Sequence, residues 1–209
     1  MIVFDTSPQG SDAWLDARRG CVTGSRCKDA RSKLKGGEPS KAALLYAMDT
    51  ARERCGGRVL GAYVNGAMRM GNEQEPRARE AYEAHTGALV FEAGFACTED
   101  RHFGCSVDGL VDDDGIVEIK TMVGSETLFT AVVERDISAY TDQINMSLWL
   151  LGRRWCDLIL WAPDLEPIGR HLTIIRIVRD EPAIDAMELD LVAFDRLVEG
   201  YRGKLAMAA

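Results

Sequence analysis

The sequence predicts a single α/β domain, and three features carry that prediction. Residues 11–86 fall into segments of helical period that end at glycines, residues 88–122 switch to short alternating stretches, and two more alternating stretches follow a second helical run. The order is therefore helices, three strands, helices, two strands and a helix, with no internal repeat, low-complexity stretch or linker. At 209 residues the chain is long enough to bury a substantial core.

Taken in order, "SDAWLDARR" (residues 11–19) reads as a short helix capped by Ser11 or Asp12 and stopped by Gly20. "SRCKDARSKLK" is a second short helix, closing at Gly36 and Gly37. "EPSKAALLYAMDTARERCGG" is a longer one, with Pro39 near its start. Gly71 to His85 is helical provided that Pro76 lies in the first turn, because an interior proline removes a backbone hydrogen bond. Three strands come next, "ALVFEAGFACTED", "HFGCSVDGLV" and "IVEIKTM", the last two joined by a "DDDG" turn. Helices are expected at about 124–134 and 138–151, strands in "WCDLILWAP" and "RHLTIIRIV", and a final amphipathic helix over about 181–203.

Composition excludes several classes. With 46% apolar and 28% charged residues the chain is neither disordered nor fibrous. Its longest apolar runs, such as "LILWA", fall far short of a membrane span, and "MIVFDTSPQG" lacks a secretory signal pattern, so a cytoplasmic protein is expected. Six cysteines are scattered without a C-x-x-C pair, which fits reduced, packed thiols better than disulfides or a zinc or iron–sulfur site. The net charge of −8 argues against a generally nucleic-acid-binding surface. Between Arg18 and Lys41, however, eight Lys or Arg face only two acids, while the chain from Asp180 onward has seven acids and three bases. A duplex could be held at the basic stretch by phosphate contacts.

The chemistry concentrates around "SVDGL" and "GIVEIKTM". The second reads as a half-buried strand, Val117 and Ile119 facing the core and Glu118 and Lys120 the other side. If "DDD" is a three-residue loop, residue 111 pairs with 115 and Asp108 falls opposite Glu118 on one face, about 5 Å away. A two-residue loop would put the acids on opposite faces. Two carboxylates so placed repel unless a hard cation such as Mg²⁺ lies between them. Such an ion polarises a phosphodiester and acidifies water, and a lysine two residues after the acid counters transition-state charge. The spacing D-x₉-E-x-K thus points to a metal-dependent nuclease, against the plainer alternative of a solvated strand face. His102 has no second histidine at metal spacing, and Trp149, Trp155 and Trp161 suit a core better than a base-stacking platform.

Further motifs narrow the class. "GNEQEPRAREAYEAHTG", "CSVDGLVDDDGIVEIK" and "YTDQINMSLWLLGRRWCDL" occur in this order and, with "DAWLDARRGCVTGS" near the N-terminus, resemble the phage lambda exonuclease family, the YqaJ-type viral recombinases of the PD-(D/E)xK nuclease superfamily. The likeness spans about residues 8–180. Val107 stands where the superfamily often has proline. The resemblance implies a restriction-endonuclease-like core with a mixed five-stranded sheet flanked by helices. It divides one exonuclease domain, residues 1–209, into a helical N-terminal region (to about 66), a nuclease core (about 67–179) and a C-terminal helix.

It also implies roles. Asp108 and Glu118 would be metal ligands with the Ile119 carbonyl as a third, and Lys120 the catalytic lysine. Glu75 would complete the metal site from a helix, through water or a second ion. Tyr140 and Gln143 match a Y-x-x-Q helix whose glutamine lies beside the lysine. Arg18 and Ser25 match the residues that grip a 5′-phosphate, although a helix-end charge and an N-cap are their plain alternatives. Met68 stands where an apolar wedge would split the terminal base pairs. The implied activity is Mg²⁺-dependent 5′-to-3′ digestion of one strand of linear duplex DNA, with Mn²⁺ able to substitute. A ring-shaped homotrimer, a single-strand annealing partner and a phage or prophage origin are implied too. The rivals are a PD-(D/E)xK endonuclease of restriction or repair type and a catalytically silent DNA-end-binding subunit.

Overall fold

Two segments expected as single strands, residues 88–100 and 102–111, are each divided between two sheets. The computed structural model describes residues 1–58 and 66–208, with only the backbone of Ala67 and Met68. It begins with β1 (Ile2–Asp5), α1 (Asp12–Arg18), β2 (Val22–Thr23), α2 (Cys27–Arg31) and α3 (Lys41–Arg54), followed by α4 (Gly66–Thr86). Next come β3 (Val90–Phe91), β4 (Phe95–Thr98), β5 (Phe103–Ser106), β6 (Gly109–Val111) and β7 (Gly115–Thr121). The chain ends with α5 (Ser125–Leu128), α6 (Ser138–Leu151), β8 (Trp155–Trp161), β9 (Leu172–Val178) and α7 (Glu181–Met207).

The strand order β3-β6-β7-β8-β9 forms the expected mixed five-stranded sheet. Its pairs are antiparallel except β7 with β8, whose parallel register needs the crossover supplied by α5 and α6. A second sheet, β1-β4-β5-β2, was not anticipated. The N-terminal region holds its expected helices and also two of these strands. Each is only two to four residues long and pairs with a partner about 80 or more positions away, so no local alternation announces it.

Helix boundaries follow the caps. Ser11 Oγ accepts from the Trp14 amide to start α1, and Ser40 Oγ accepts from the Ala43 amide to start α3, which leaves Pro39 outside the helix. The second helix stops at Arg31, short of the expectation. The Gly36-Gly37 turn folds the chain back so that the Leu34 amide bonds the Glu38 carbonyl at 2.8 Å. The expectation for Pro76 also fails: α4 starts at Gly66, so the proline lies inside it and leaves the Asn72 carbonyl without its helical donor. The helix around 124–134 is four α-helical residues continued by a π turn over Phe129–Val133.

Two cores sandwich the five-stranded sheet. On one side Ile116, Leu158 and Leu160 pack under α6 and α7, with Ile144, Leu148, Met187 and Leu191. On the other, α4 lays Ala78 and Tyr82 over Val117, Ile119, Ile159 and Trp161. Five of the six cysteines are buried free thiols and Cys55 is exposed. No described helix is long and apolar enough to cross a membrane.

The charge separation of the sequence does not survive folding. Helix α7 packs against α2 and α3, bringing Asp190 to Arg31 (3.1 Å) and Lys33, while Arg31 also pairs with Asp142 on α6. The acidic tail thus neutralises part of the basic stretch that was expected to face a duplex.

Candidate active site

The β6–β7 hairpin has the three-residue loop that the spacing requires. Val111 pairs with Gly115, Leu110 with Ile116 and Gly109 with Val117, and Asp108 follows one residue beyond the last pair. Asp112 adopts a left-handed φ of 45° to make the turn, a conformation that Asp tolerates better than most residues. Two glycines let the neighbouring strands β3 and β8 approach the hairpin. A Cβ on Gly109 would lie 2.1 Å from Val90, and one on Gly115 would lie 2.2 Å from the Trp155 ring. Asp108 occupies the joint between β5 and β6, where the chain passes from one sheet to the other.

Strand β7 is not the half-buried strand that was expected. Both faces are covered, and Glu118 is only 2% exposed, because α6 packs over the side opposite α4. A charge in that position needs partners. Glu118 Oε1 accepts from Lys120 Nζ at 2.7 Å and from Gln143 Nε2, and Lys120 Nζ also lies 3.3 Å from Gln143 Oε1. The Tyr140 ring centroid is 6.0 Å from the same ammonium. Helix α6 therefore brings Tyr140 and Gln143 to the lysine, one turn apart.

The acids are incompletely satisfied. The Ile119 amide donates to Asp108 Oδ2 at 2.6 Å, yet Glu118 Oε2 is buried without a partner. Burial, and then the neighbouring Glu118 carboxylate, hold the Asp108 carboxyl well above the usual carboxylate range. Burial alone would lower the Lys120 ammonium; the Glu118 and Asp108 carboxylates outweigh it and hold it above its ordinary value. Two adjoining carboxylates, one with an orphaned oxygen, suit a hard divalent cation. Among the described residues no three His, Cys, Asp or Glu side chains converge as a metal cage. The side-chain donors at hand are thus the two carboxylates of Asp108 and Glu118.

Glu75 is adjacent but differently engaged. It lies on α4, its Oε1 accepts from Arg79 Nη2 at 3.0 Å, and it shares with Asp108 a cavity of about 450 Å³. The N-terminal loop at Ser7 and Gln9 also lines this cavity.

Arg18 and Ser25 lie on the N-terminal side. Arg18 stacks its guanidinium over Trp14 at 4.1 Å from the ring centroid, burial lowers its pKa, and among the described residues no carboxylate pairs with it. Ser25 is exposed and does not cap α2, whose N-cap is Arg26. Its residue belongs to the Gly24–Arg26 turn, which packs on α6: the Cβ position of Gly24 lies 3.8 Å from the Gln143 carbonyl. The wedge expected at Met68 concerns a side chain outside the described residues. His102 Nδ1 sits 3.0 Å from Asp195 on α7. Of the three tryptophans expected in the core, Trp161 is buried and Trp149 and Trp155 are half-buried.

Three features escaped the sequence reading. Trp14 Nε1 donates to Ser106 Oγ at 3.1 Å, pinning the ring under Arg18. Arg79 also donates to the Asp108 carbonyl at 3.0 Å. Asp157 is buried on the α4 face of β8, bound by Tyr82 Oη at 2.8 Å and by both ends of Arg176 at 2.8 Å. The one available signal was Asp157 itself, an acid in phase with the apolar Ile159 and Trp161 of "WCDLILW".

Residues 13–154 match the YqaJ-like viral recombinase domain. An alkaline exonuclease from Laribacter hongkongensis, LHK-Exo, is 31% identical and superposes with a TM-score of 0.80, covering 95% of this chain and 100% of that one. The same enzyme in complex with dAMP gives a TM-score of 0.81 at the same identity and coverage. A phage-related exonuclease from Haemophilus somnus 129PT shares the fold, with 17% identity, a TM-score of 0.68 and coverage of 90% and 96%. No curated protein sequence matches the chain. With the domain match covering most of its length and a relative at 31% identity over nearly all of it, the chain belongs to the YqaJ-like viral recombinase family.

Proposed function

We propose that this DNA nuclease is a Mg²⁺-dependent exonuclease that hydrolyses one strand of linear duplex DNA from a 5′-phosphorylated end. It releases mononucleotides and leaves a 3′ overhang for single-strand annealing. The observation that carries the reading is the three-residue hairpin with Asp108 at its base, near the Glu118 carboxylate and Lys120, and with Glu118 Oε2 unpartnered.

In this mechanism Asp108, Glu118 and the Ile119 carbonyl would hold the cation, and Glu75 would complete the site through water or a second ion. Bound there, Mg²⁺ or Mn²⁺ supplies Lewis acidity toward the phosphodiester and acidifies water. Lys120 stays protonated between its two acids and donates hydrogen bonds to the charge that develops on phosphorus oxygens. Gln143 holds Lys120 and Glu118 in register, and Tyr140 flanks the ammonium. Arg18, flat on Trp14, and Ser25 select the 5′-phosphate, and an apolar side chain such as Met68 parts the terminal pairs. A ring of three copies around the product duplex reconciles processive digestion with a net charge of −8, since only the channel has to be positive. An annealing protein then takes the 3′ strand, in the cytoplasm of a bacterium that carries the phage or prophage.

Digestion of a linear duplex bearing 5′-phosphate or 5′-hydroxyl ends, with Mg²⁺ and then with excess chelator, tests the reading. Mononucleotides should come from the 5′-phosphorylated strand and cease on chelation. Products from the 3′ end would reverse the polarity, and equal rates from both end types would remove the roles of Arg18 and Ser25. Cutting of a covalently closed circle would favour an endonuclease, and binding of ends without release would favour a silent subunit.

A further inference from the structure

Arg79 lies on α4 one turn after Glu75, and the mechanism above gives it no task. Its Nη2 donates to Glu75 Oε1 and to the Asp108 main-chain carbonyl, both at 3.0 Å. Nη1 stands 3.5 Å from Glu92 Oε1, on a side chain that is 88% exposed, and the buried Nε has no partner. All four residues line the cavity beside the acidic hairpin.

The contact matters because of where Asp108 sits. The ladder of β4 with β5 ends at Ser106 and that of β6 with β7 begins at Gly109, so Asp108 lacks the strand pairing that holds Glu118. Its tethers are the Ile119 amide on its carboxylate and Arg79 on its carbonyl. The same guanidinium holds Glu75, which would otherwise turn to solvent as helix-surface acids do. A planar guanidinium addresses two acceptors at a fixed angle, and an ammonium does not. Glu75 and Glu92 compensate its charge, so its repulsion of a cation at Asp108 is small and the positional effect dominates.

We propose that Arg79 is a positioning residue that joins α4 to the strand joint at Asp108 and thereby sets the affinity of the acidic site for a divalent cation. The inference rests on the metal-centre reading of Asp108 and Glu118. Loss of groups that orient metal ligands weakens metal binding by about 10-fold or more.

Calorimetric titration of Mn²⁺ into the DNA-free full-length chain tests it, with Arg79→Lys, Arg79→Gln and Asp108→Asn beside the wild type. Both Arg79 variants should bind Mn²⁺ about 10-fold more weakly, and the Mn²⁺ concentration for half-maximal nucleotide release should rise by the same factor. Wild-type affinity in Arg79→Lys would mean that charge alone matters and would overturn the proposal. Unchanged affinity with a lowered kcat would also overturn it, making Arg79 a substrate contact instead. If Arg79→Gln does not fold, Arg79→Lys decides. Asp108→Asn separates the two levels: wild-type Mn²⁺ binding there defeats the metal-centre reading itself, whereas its loss with intact binding in the Arg79 variants defeats only the role of Arg79.

Discussion

Glu118 on β7 and Asp157 on β8 are each 2% exposed, and their surroundings treat them in opposite ways. They lie one register step apart on opposite faces of the sheet, since Val117 pairs with Asp157 and Glu118 with Leu158. On the α4 face Asp157 has both oxygens bound, by Tyr82 and by the Arg176 fork. On the α6 face Glu118 shares one oxygen between Lys120 and Gln143 and leaves the other bare, with the raised carboxyl of Asp108 beside it. A buried acid with both oxygens engaged is a structural device; one left short of partners is, on the proposed reading, a ligand for a cation. The difference separates scaffold from site within a single pair of strands.

Breaking the α6 side should have the largest effect. Glu118→Ala should lower nucleotide release by about 1,000-fold or more, equivalent to about 4 kcal/mol, and leave metal-free DNA binding largely intact; unchanged digestion would sink the site assignment. On the other face, Asp157→Asn should cost about 2 kcal/mol of stability, from the loss of charge-assisted bonds to Arg176 and a mismatched Tyr82. A melting temperature within a degree of wild type would show that this network is not holding α4. Gln143→Ala should slow turnover by about 10-fold, since it removes an orienting contact rather than a ligand. If the slowing exceeds that of Glu118→Ala, the glutamine has a direct chemical role.

The smallest and sharpest effect concerns Asp108. Its folded-state carboxyl is raised, so the ionised form is penalised relative to the unfolded chain, and stability is lost as pH climbs from the ordinary carboxylate range through the raised value. In chelator at mildly alkaline pH, Asp108→Asn should therefore melt higher than wild type, although it abolishes cleavage. Asp157→Asn should melt lower. Equal signs in the two melts would erase the distinction between the faces.

Much of the site was legible because it is local. Asp108, Glu118 and Lys120 lie within 13 residues, and the loop of three aspartates followed by Gly115 sets their parity through the period of two along a strand. Tyr140 and Gln143 were legible as one helical turn. The helix–strand order after residue 138 was readable from strong periodicity, and β8, β9 and α6 follow it. Strands β1 and β2 were not, being too short to alternate, and neither was the split at Val107 and Asp108, which depends on β4 pairing with one half of the segment and β7 with the other.

By itself, then, the sequence determined which side chains share a strand face or a helix turn, because covalent spacing and backbone period decide that before any packing occurs. Only the tertiary structure decided what stands opposite those faces. Whether β7 is solvated or covered depends on α6, and whether Arg31 faces DNA or Asp190 depends on α7. Whether an acid is left with a bare oxygen depends on side chains from other elements arriving within hydrogen-bond reach, and chain separation places no limit on which ones do. The spacing of Asp108, Glu118 and Lys120 is written locally; the burial of Glu118, its missing partner and the Arg79 tether are properties of the assembled layers.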